Sequence, residues 1–179
     1  MKDGGRIMDD FMTLAKARYS VRKYKDTPIE DDKLDKIIEA GIIAPTAHNE
    51  QPWRCYVLKS PEALKKINDL TACAFHAPVV LMFTYNKDEQ WKNPLEEGVT
   101  AGQEDVSIVA THMMLEAWEL GIGSCWVNYF PNTKTEEAFN LPDNERVVLL
   151  MPMGYAQDGV HAAHLHNENR SRDELVKEL

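Results

Sequence analysis

The chain has 179 residues, 44% of them hydrophobic and 27% charged, enough apolar material for a core that folds without staples. Its formal net charge of −9 disfavours nucleic acid and anionic membrane surfaces as partners. Its longest aliphatic and aromatic runs, such as "VVLMF" from Val79, fall far short of the roughly 18 residues a membrane span requires. One domain over 1–179 is expected, with residues 1–8 outside its ordered body. The start "MKDGGRIMDD" is polar and lacks an apolar h-region, which predicts a cytoplasmic location rather than export. Cys55, Cys73 and Cys125 are odd in number and widely spaced among apolar neighbours, so they suit reduced, buried thiols better than a disulfide framework or a catalytic thiol.

In chain order, Phe11, Leu14 and Ala15 mark a first helix that runs into Arg18. Leu34, Ile37, Ile38, Gly41 and Ile42 recur at helical spacing and are stopped by Pro45. "WRCYVLK" from Trp53 reads as a strand, and Ser60 followed by Pro61 starts another helix, serine as cap and proline in the first helical position. "PVVLMFTY" from Pro78 does not alternate and predicts a strand buried on both faces. "QEDVSIVATHMMLEAWELGIG", ended by Gly121, is the longest predicted helix; it is apolar around most of its circumference and must be covered on several sides or lie in a subunit interface. "SCWVNYF" is a third strand, "TKTEEAF" a short helix and "RVVLLMPMGY" a fourth strand, and Ser171 with Glu174 has capping-box spacing for a last helix. Strands alternating with helices predict, by pattern alone, a doubly wound α/β sheet.

Two segments carry candidate chemistry. "KARYSVRKYK" holds Lys16, Arg18, Arg22, Lys23 and Lys25 with no acidic residue between them, which is either an anion site or a solvated basic face. "APTAHNEQPW" packs Pro45, Thr46, His48, Asn49, Gln51 and Pro52 into one connection, which is either a well-capped turn or a stiff polar loop built to hold a ligand. Arg18, Ser20 and Arg22 together supply two fixed cations and a hydroxyl, the means of holding a phosphate without a glycine loop. No G-x-G-x-x-G, Walker A, H-E-x-x-H or G-x-S-x-G motif is present. His161, His164 and His166 in "HAAHLH" lack nearby cysteine or acidic ligands and read as a surface loop rather than a metal site, and His112 as a core or interface residue.

R-x-S-x-R after the first helix and A-P-[ST]-x-x-N-x-Q-P-W after the second, followed in order by "APVVLMF", "LGIGSCW" and "LPDNERVVLLMPMGYA", resemble the nitroreductase family of FMN-dependent oxidoreductases from about Phe11 to the last helix. The resemblance implies an α+β sandwich, a mixed and mostly antiparallel sheet flanked by helices, in an intertwined homodimer with FMN at the subunit interface. This replaces the doubly wound expectation. By position, Arg18, Tyr19 and Ser20 would bind the FMN phosphate, and Arg22 would lie by the pyrimidine edge of the flavin. Pro45, Thr46, Ala47 and Asn49 of the other subunit would line the flavin and ribityl chain, with Gln51 in support. The backbone of Asn128 and Tyr129 would approach flavin N5, and Arg170, or Arg172, would return to the phosphate. The implied activity is ping-pong transfer of hydride from NAD(P)H to an oxidised small-molecule acceptor such as a nitroaromatic or quinone. Relatives with the same cofactor perform reductive dehalogenation or flavin breakdown, and a non-catalytic flavin-binding protein is a further alternative. Arg22 would stabilise reduced flavin, with no other catalytic side chain and no metal.

Overall fold

The structure, a computed structural model, describes residues 10–179, so the expectation for residues 1–8 lies outside the described residues. Helix α1 (Phe11–Ala17) begins at Asp10, whose carboxylate accepts the Thr13 N–H at 2.8 Å. Helix α2 (Asp31–Ile42) buries Leu34, Ile37 and Gly41, the spacing seen in the sequence. Strand β1 (Trp53–Leu58) leads to α3 (Pro61–Leu70), where Ser60 Oγ accepts the Ala63 N–H as the cap signal predicts. Strand β2 (Val79–Asn86), helix α4 (Gly102–Glu119), the two-residue strand β3 (Gly123–Ser124), helix α5 (Asn132–Ala138), strand β4 (Glu145–Gly154) and the single turn α6 (Arg172–Leu175), opened by a complete capping box at Ser171, follow in order.

The four strands form one sheet in the order β1-β2-β4-β3, and every pairing between named strands is antiparallel. The doubly wound arrangement suggested by pattern alone is therefore wrong, and the α+β class is right. Alternation of strands and helices does not specify strand direction, because a helix in the connection serves an antiparallel return as well as a crossover. The parallel element is an isolated bridge, Ser20 beside Ser124, reinforced by the Val21 N–H on Ser124 O at 2.9 Å. This bridge lays the basic stretch along the edge of the sheet.

The third strand is shorter than predicted. Beyond Ser124, the Cys125 N–H reaches Pro152 O, but Pro152 has no N–H to return, and pairing resumes only at the bridge of Val127 with Leu150. One residue further on, the Asn128 side chain takes Val148 O, and the extended run ends.

Both faces of the sheet are covered. Leu81, Phe83, Leu149, Met151 and Met153 face α2 and α4, while Val80, Met82 and Leu150 pack with Val21, Ile67 and Val127 on the other side. This explains why β2 shows no polar alternation. In α4, Val106, Val109, Ala110, Met113 and Ala117 are buried, but Ile108 is exposed, so one protomer covers only part of the apolar circumference. Burial near the sheet end includes Glu145, which accepts from Tyr56 Oη at 2.8 Å and from Thr84 Oγ1 at 2.6 Å. Burial and the adjacent carboxylate push the Tyr56 phenol up to about 12, so it remains a donor at ordinary pH. Glu145→Ala strands both hydroxyls and is expected to lower stability by about 2–4 kcal/mol in urea denaturation.

Candidate functional site

Arg18, Tyr19, Ser20 and Arg22 line one cleft of about 320 Å³ together with Ala163, Leu165 and His166. A neighbouring cleft of about 430 Å³ shares Ser20, Arg22 and Ala163, and adds Lys23 and His161. Among the described residues neither Arg18 nor Arg22 forms an ion pair, whereas Lys25, from the same stretch, is taken by Asp158 at 2.6 Å. Two guanidiniums in the smaller cleft, without carboxylate partners among the described residues, are suited to holding an anion; Asp158 lines the neighbouring cleft but is engaged by Lys25.

The cleft is completed from the far end of the chain. The Tyr19 hydroxyl donates to Val160 O at 3.1 Å, and its ring meets Trp118 edge-on with centroids 5.0 Å apart. His166 lies with Nε2 3.1 Å from Lys16 O and its ring edge-on to Tyr19. His164 lies near Glu168 instead, and no group of three or more potential metal ligands occurs among the described residues. Sequence reasoning assigned this segment to the surface and missed the part played by Ala163, Leu165 and His166. The one signal available was a second set of basic side chains in an acidic chain. Arg170 is exposed beyond that turn and Arg172 pairs with Glu178 at 3.3 Å; neither lines the two clefts.

The 45–51 connection stands apart from these clefts. Its backbone closes on itself: Asn49 N–H to Thr46 O at 3.0 Å, Glu50 N–H to Ala47 O at 3.1 Å, and Gln51 N–H to Thr46 Oγ1 at 3.2 Å. His48, Asn49 and Gln51 have φ of 54°, 57° and 50°, left-handed values unusual in residues other than glycine. Pro45, Asn49 and Gln51 face solvent, and Gln51 Nε2 donates to Asn49 O. The loop meets α4 through the Ala47 N–H, which donates to Asp105 Oδ1 at 2.7 Å. Asp105 is 1% exposed and its Oδ2 has no partner among the described residues. Desolvation pushes its carboxyl above the usual range, opposed by the Ala47 N–H and assisted by Glu104. No motif in the sequence marked it; the available signal was a carboxylate on the buried face that carries Val106 and Val109.

Asn128 is fixed by Trp126 Nε1, which donates to its Oδ1 at 2.6 Å, and by its own donation to Val148 O. The Tyr129 carbonyl accepts from Thr71 Oγ1 at 2.7 Å while its side chain faces solvent. Neither residue lines the Arg18 and Arg22 clefts. Cys55, Cys73 and Cys125 are free; burial pushes Cys55 up to about 12 and also raises Cys125, so neither is poised as a thiolate. His112 is half-buried in α4 with Nδ1 2.8 Å from Ile108 O.

An antiparallel sheet between helices, with a basic cleft at its edge built from the segment after α1, defines an α+β protein with a candidate ligand site. The family model described as Nitroreductase family matches residues 15–75 and 71–155. A nitroreductase family protein from Clostridium difficile 630, known from its crystal structure, is 36% identical, with 94% of this chain and 97% of that one covered and a TM-score of 0.88. An FMN-dependent nitroreductase from Clostridium difficile R20291 is 25% identical over 89% of this chain and 98% of its own, with a TM-score of 0.69. A protein of Methanothermobacter thermautotrophicus, provisionally named NADH dehydrogenase/NAD(P)H nitroreductase, is 27% identical over 94% of this chain and 88% of its own length. The chain belongs to the nitroreductase family of FMN-dependent oxidoreductases.

Proposed function

We propose that this protein binds FMN between two subunits and uses it to pass electrons from NAD(P)H to an oxidised small molecule such as a nitroaromatic or quinone. The observation that carries the reading is the cleft holding Arg18, Ser20 and Arg22 with no ion pair on either guanidinium among the described residues. The fit to FMN is chemical: a phosphate dianion matches two planar guanidinium groups and a hydroxyl, and about 320 Å³ falls within the range of small-ligand clefts. FMN, when bound, supplies two-electron exchange between NAD(P)H and the acceptor.

The residues of this chain then have separable tasks. Arg18 and Ser20 hold the phosphate, and Tyr19, whose hydroxyl is taken by Val160 O, lends its ring and backbone. Arg22, which lines both clefts, extends from the phosphate end toward the pyrimidine edge and favours negative charge there. Thr46, Ala47 and Asn49 present backbone and amide groups from the partner's copy of the loop, with Pro45 limiting its motion and Gln51 bracing it. Asn128 and Tyr129, outside both clefts of the protomer, would supply backbone on the side of the reacting ring atom, and Arg170, exposed and outside the clefts, would have to swing inward to reach the phosphate. No side-chain acid or base is required of the protein.

Dimer formation is part of the proposal. Phe11 and Met12 on α1, Ile42 and Ile43 at the end of α2, and Ile108 on α4 are exposed, and α1 and α2 both pack on α4. The basic stretch continues from the end of α1, and the 45–51 loop follows Ile43 after Ala44, yet within one protomer they line different clefts. An isologous interface over these helices would carry the loop of one subunit toward the basic stretch of the other. The described residues contain no helix long and apolar enough to cross a membrane. Their three cysteines are free, which suits a reducing compartment.

The purified protein is expected to be yellow and to release FMN on denaturation, since the chain offers one phosphate site and no dinucleotide fingerprint. Chromatography of the released flavin checks this; FAD, or no flavin after incubation with excess FMN, refutes the reading. Bleaching by NADH or NADPH under nitrogen then distinguishes an oxidoreductase from a passive flavin carrier.

A further inference from the structure

We propose that Asp105 is the positioning residue that holds Ala47, and with it the 45–51 loop, in the conformation that receives FMN, an inference resting on the flavin reading above. Asp105 sits one turn into α4 on the face that buries Val106 and Val109, where a carboxylate is costly to place. Its carboxylate has a single hydrogen-bond partner among the described residues, a backbone N–H 58 positions earlier at 2.7 Å, and its second oxygen is unpartnered. An acidic side chain buried this fully, for one bond, points to a requirement in the group it holds. The amino end of α4 favours negative charge at this depth, so the helix tolerates the carboxylate without a cation beside it.

The loop has need of such a tie. Three residues other than glycine stand in the left-handed region, and the internal bonds at Thr46, Ala47 and Gln51 fix the shape of the loop without fixing its place on the protein. At its ends the chain is secured by Ala44 N–H on Gly41 O and by Asn86 N–H on Pro52 O. Between those points the Asp105 bond is the hydrogen bond that joins residues 45–51 to another element among the described residues. Losing it leaves the loop folded on itself but free to swing, and the order must then be supplied on binding.

The experiment titrates FMN into apoprotein of the parent, Asp105→Asn, Asp105→Leu and Asp105→Ala, and follows amide exchange at Ala47 in the same apoproteins. The asparagine amide oxygen can still accept the Ala47 N–H, so this variant should bind FMN within about threefold of the parent and keep Ala47 protected. Leucine and alanine cannot accept; each should weaken FMN by about ten- to a hundredfold and speed exchange at Ala47. Rescue by asparagine separates an anchoring acceptor from a need for charge. The proposal is overturned if Leu and Ala variants bind FMN like the parent, if Asn fails as badly as Leu, or if neither Leu nor Ala yields folded apoprotein, which would make Asp105 a determinant of folding instead. A parent that binds no FMN refutes the flavin reading itself, a result distinguishable from variants that bind it unchanged.

Discussion

Arg18→Ala is expected to weaken FMN retention by about ten- to a hundredfold while leaving the two-electron potential close to that of the parent, whereas Arg22→Gln is expected to lower that potential by roughly 20 to 45 mV. The difference follows from where each guanidinium lies. Arg18 caps α1 and lines a single cleft, so a phosphate held there interacts with it equally in both oxidation states of the cofactor. Arg22 lines both clefts and is exposed, its Nη1 donating to Ser20 O at a long 3.3 Å, so its head is held only lightly within the protomer. Placed at the pyrimidine edge, it favours the form that carries negative charge there. A loss of about 1 to 2 kcal/mol of that preference gives the stated shift, at about 1.4 kcal/mol per 30 mV for a two-electron couple. Redox titration of flavin-saturated variants beside the parent reads the potential, and fluorescence titration reads retention. Parental potentials in both variants, or a shift in Arg18→Ala alone, would show that the roles within "RYSVR" are assigned wrongly even if FMN is bound.

On the proposed two-subunit site, Ile43→Glu is expected to convert the dimer into a flavin-free monomer. Ile43 is 75% exposed in the protomer, so the fold of one chain has little reason to sense the substitution, and far-UV circular dichroism should be unchanged. In an isologous interface each change occurs twice, and burying two unpaired carboxylates in apolar contacts costs several kcal/mol, roughly a hundredfold or more in dissociation constant. The parent should sediment as a dimer at low micromolar concentration with flavin absorbance on the dimer boundary. The variant should sediment as a monomer with its flavin left behind, because the 45–51 loop would no longer reach the partner's basic stretch. A monomer that retains flavin would refute the two-subunit site while leaving the anion cleft intact, and an unchanged dimer would place the interface elsewhere.

The features legible in the sequence are those decided within a few residues. The Ser60 cap, the Ser171 capping box, the Pro45 stop and the helical spacing of Leu34, Ile37 and Gly41 each depend on hydrogen bonds or side-chain packing between near neighbours, and each stands where the sequence put it. Of the candidate site, the same local logic pointed to Arg18, Ser20 and Arg22, which the structure brings to one cleft, because cations clustered without acids in an acidic chain are conspicuous before any fold is known. What stayed hidden depends on contacts between distant positions. Strand direction and order are set by which residues meet across the sheet, so alternation alone led to a doubly wound arrangement where the chain makes antiparallel pairs. The early end of the third strand depends on Pro152 standing opposite Cys125, a matter of register. His166 joins the cleft 150 residues after Lys16, and Asp105 reaches Ala47 across 58. The sequence by itself determined most of the elements, their caps and the clustered charge of the candidate anion cleft. Only the tertiary structure decided which elements pair, where the third strand stops and which buried carboxylate holds the loop, because those outcomes depend on packing the chain against itself rather than on any local preference.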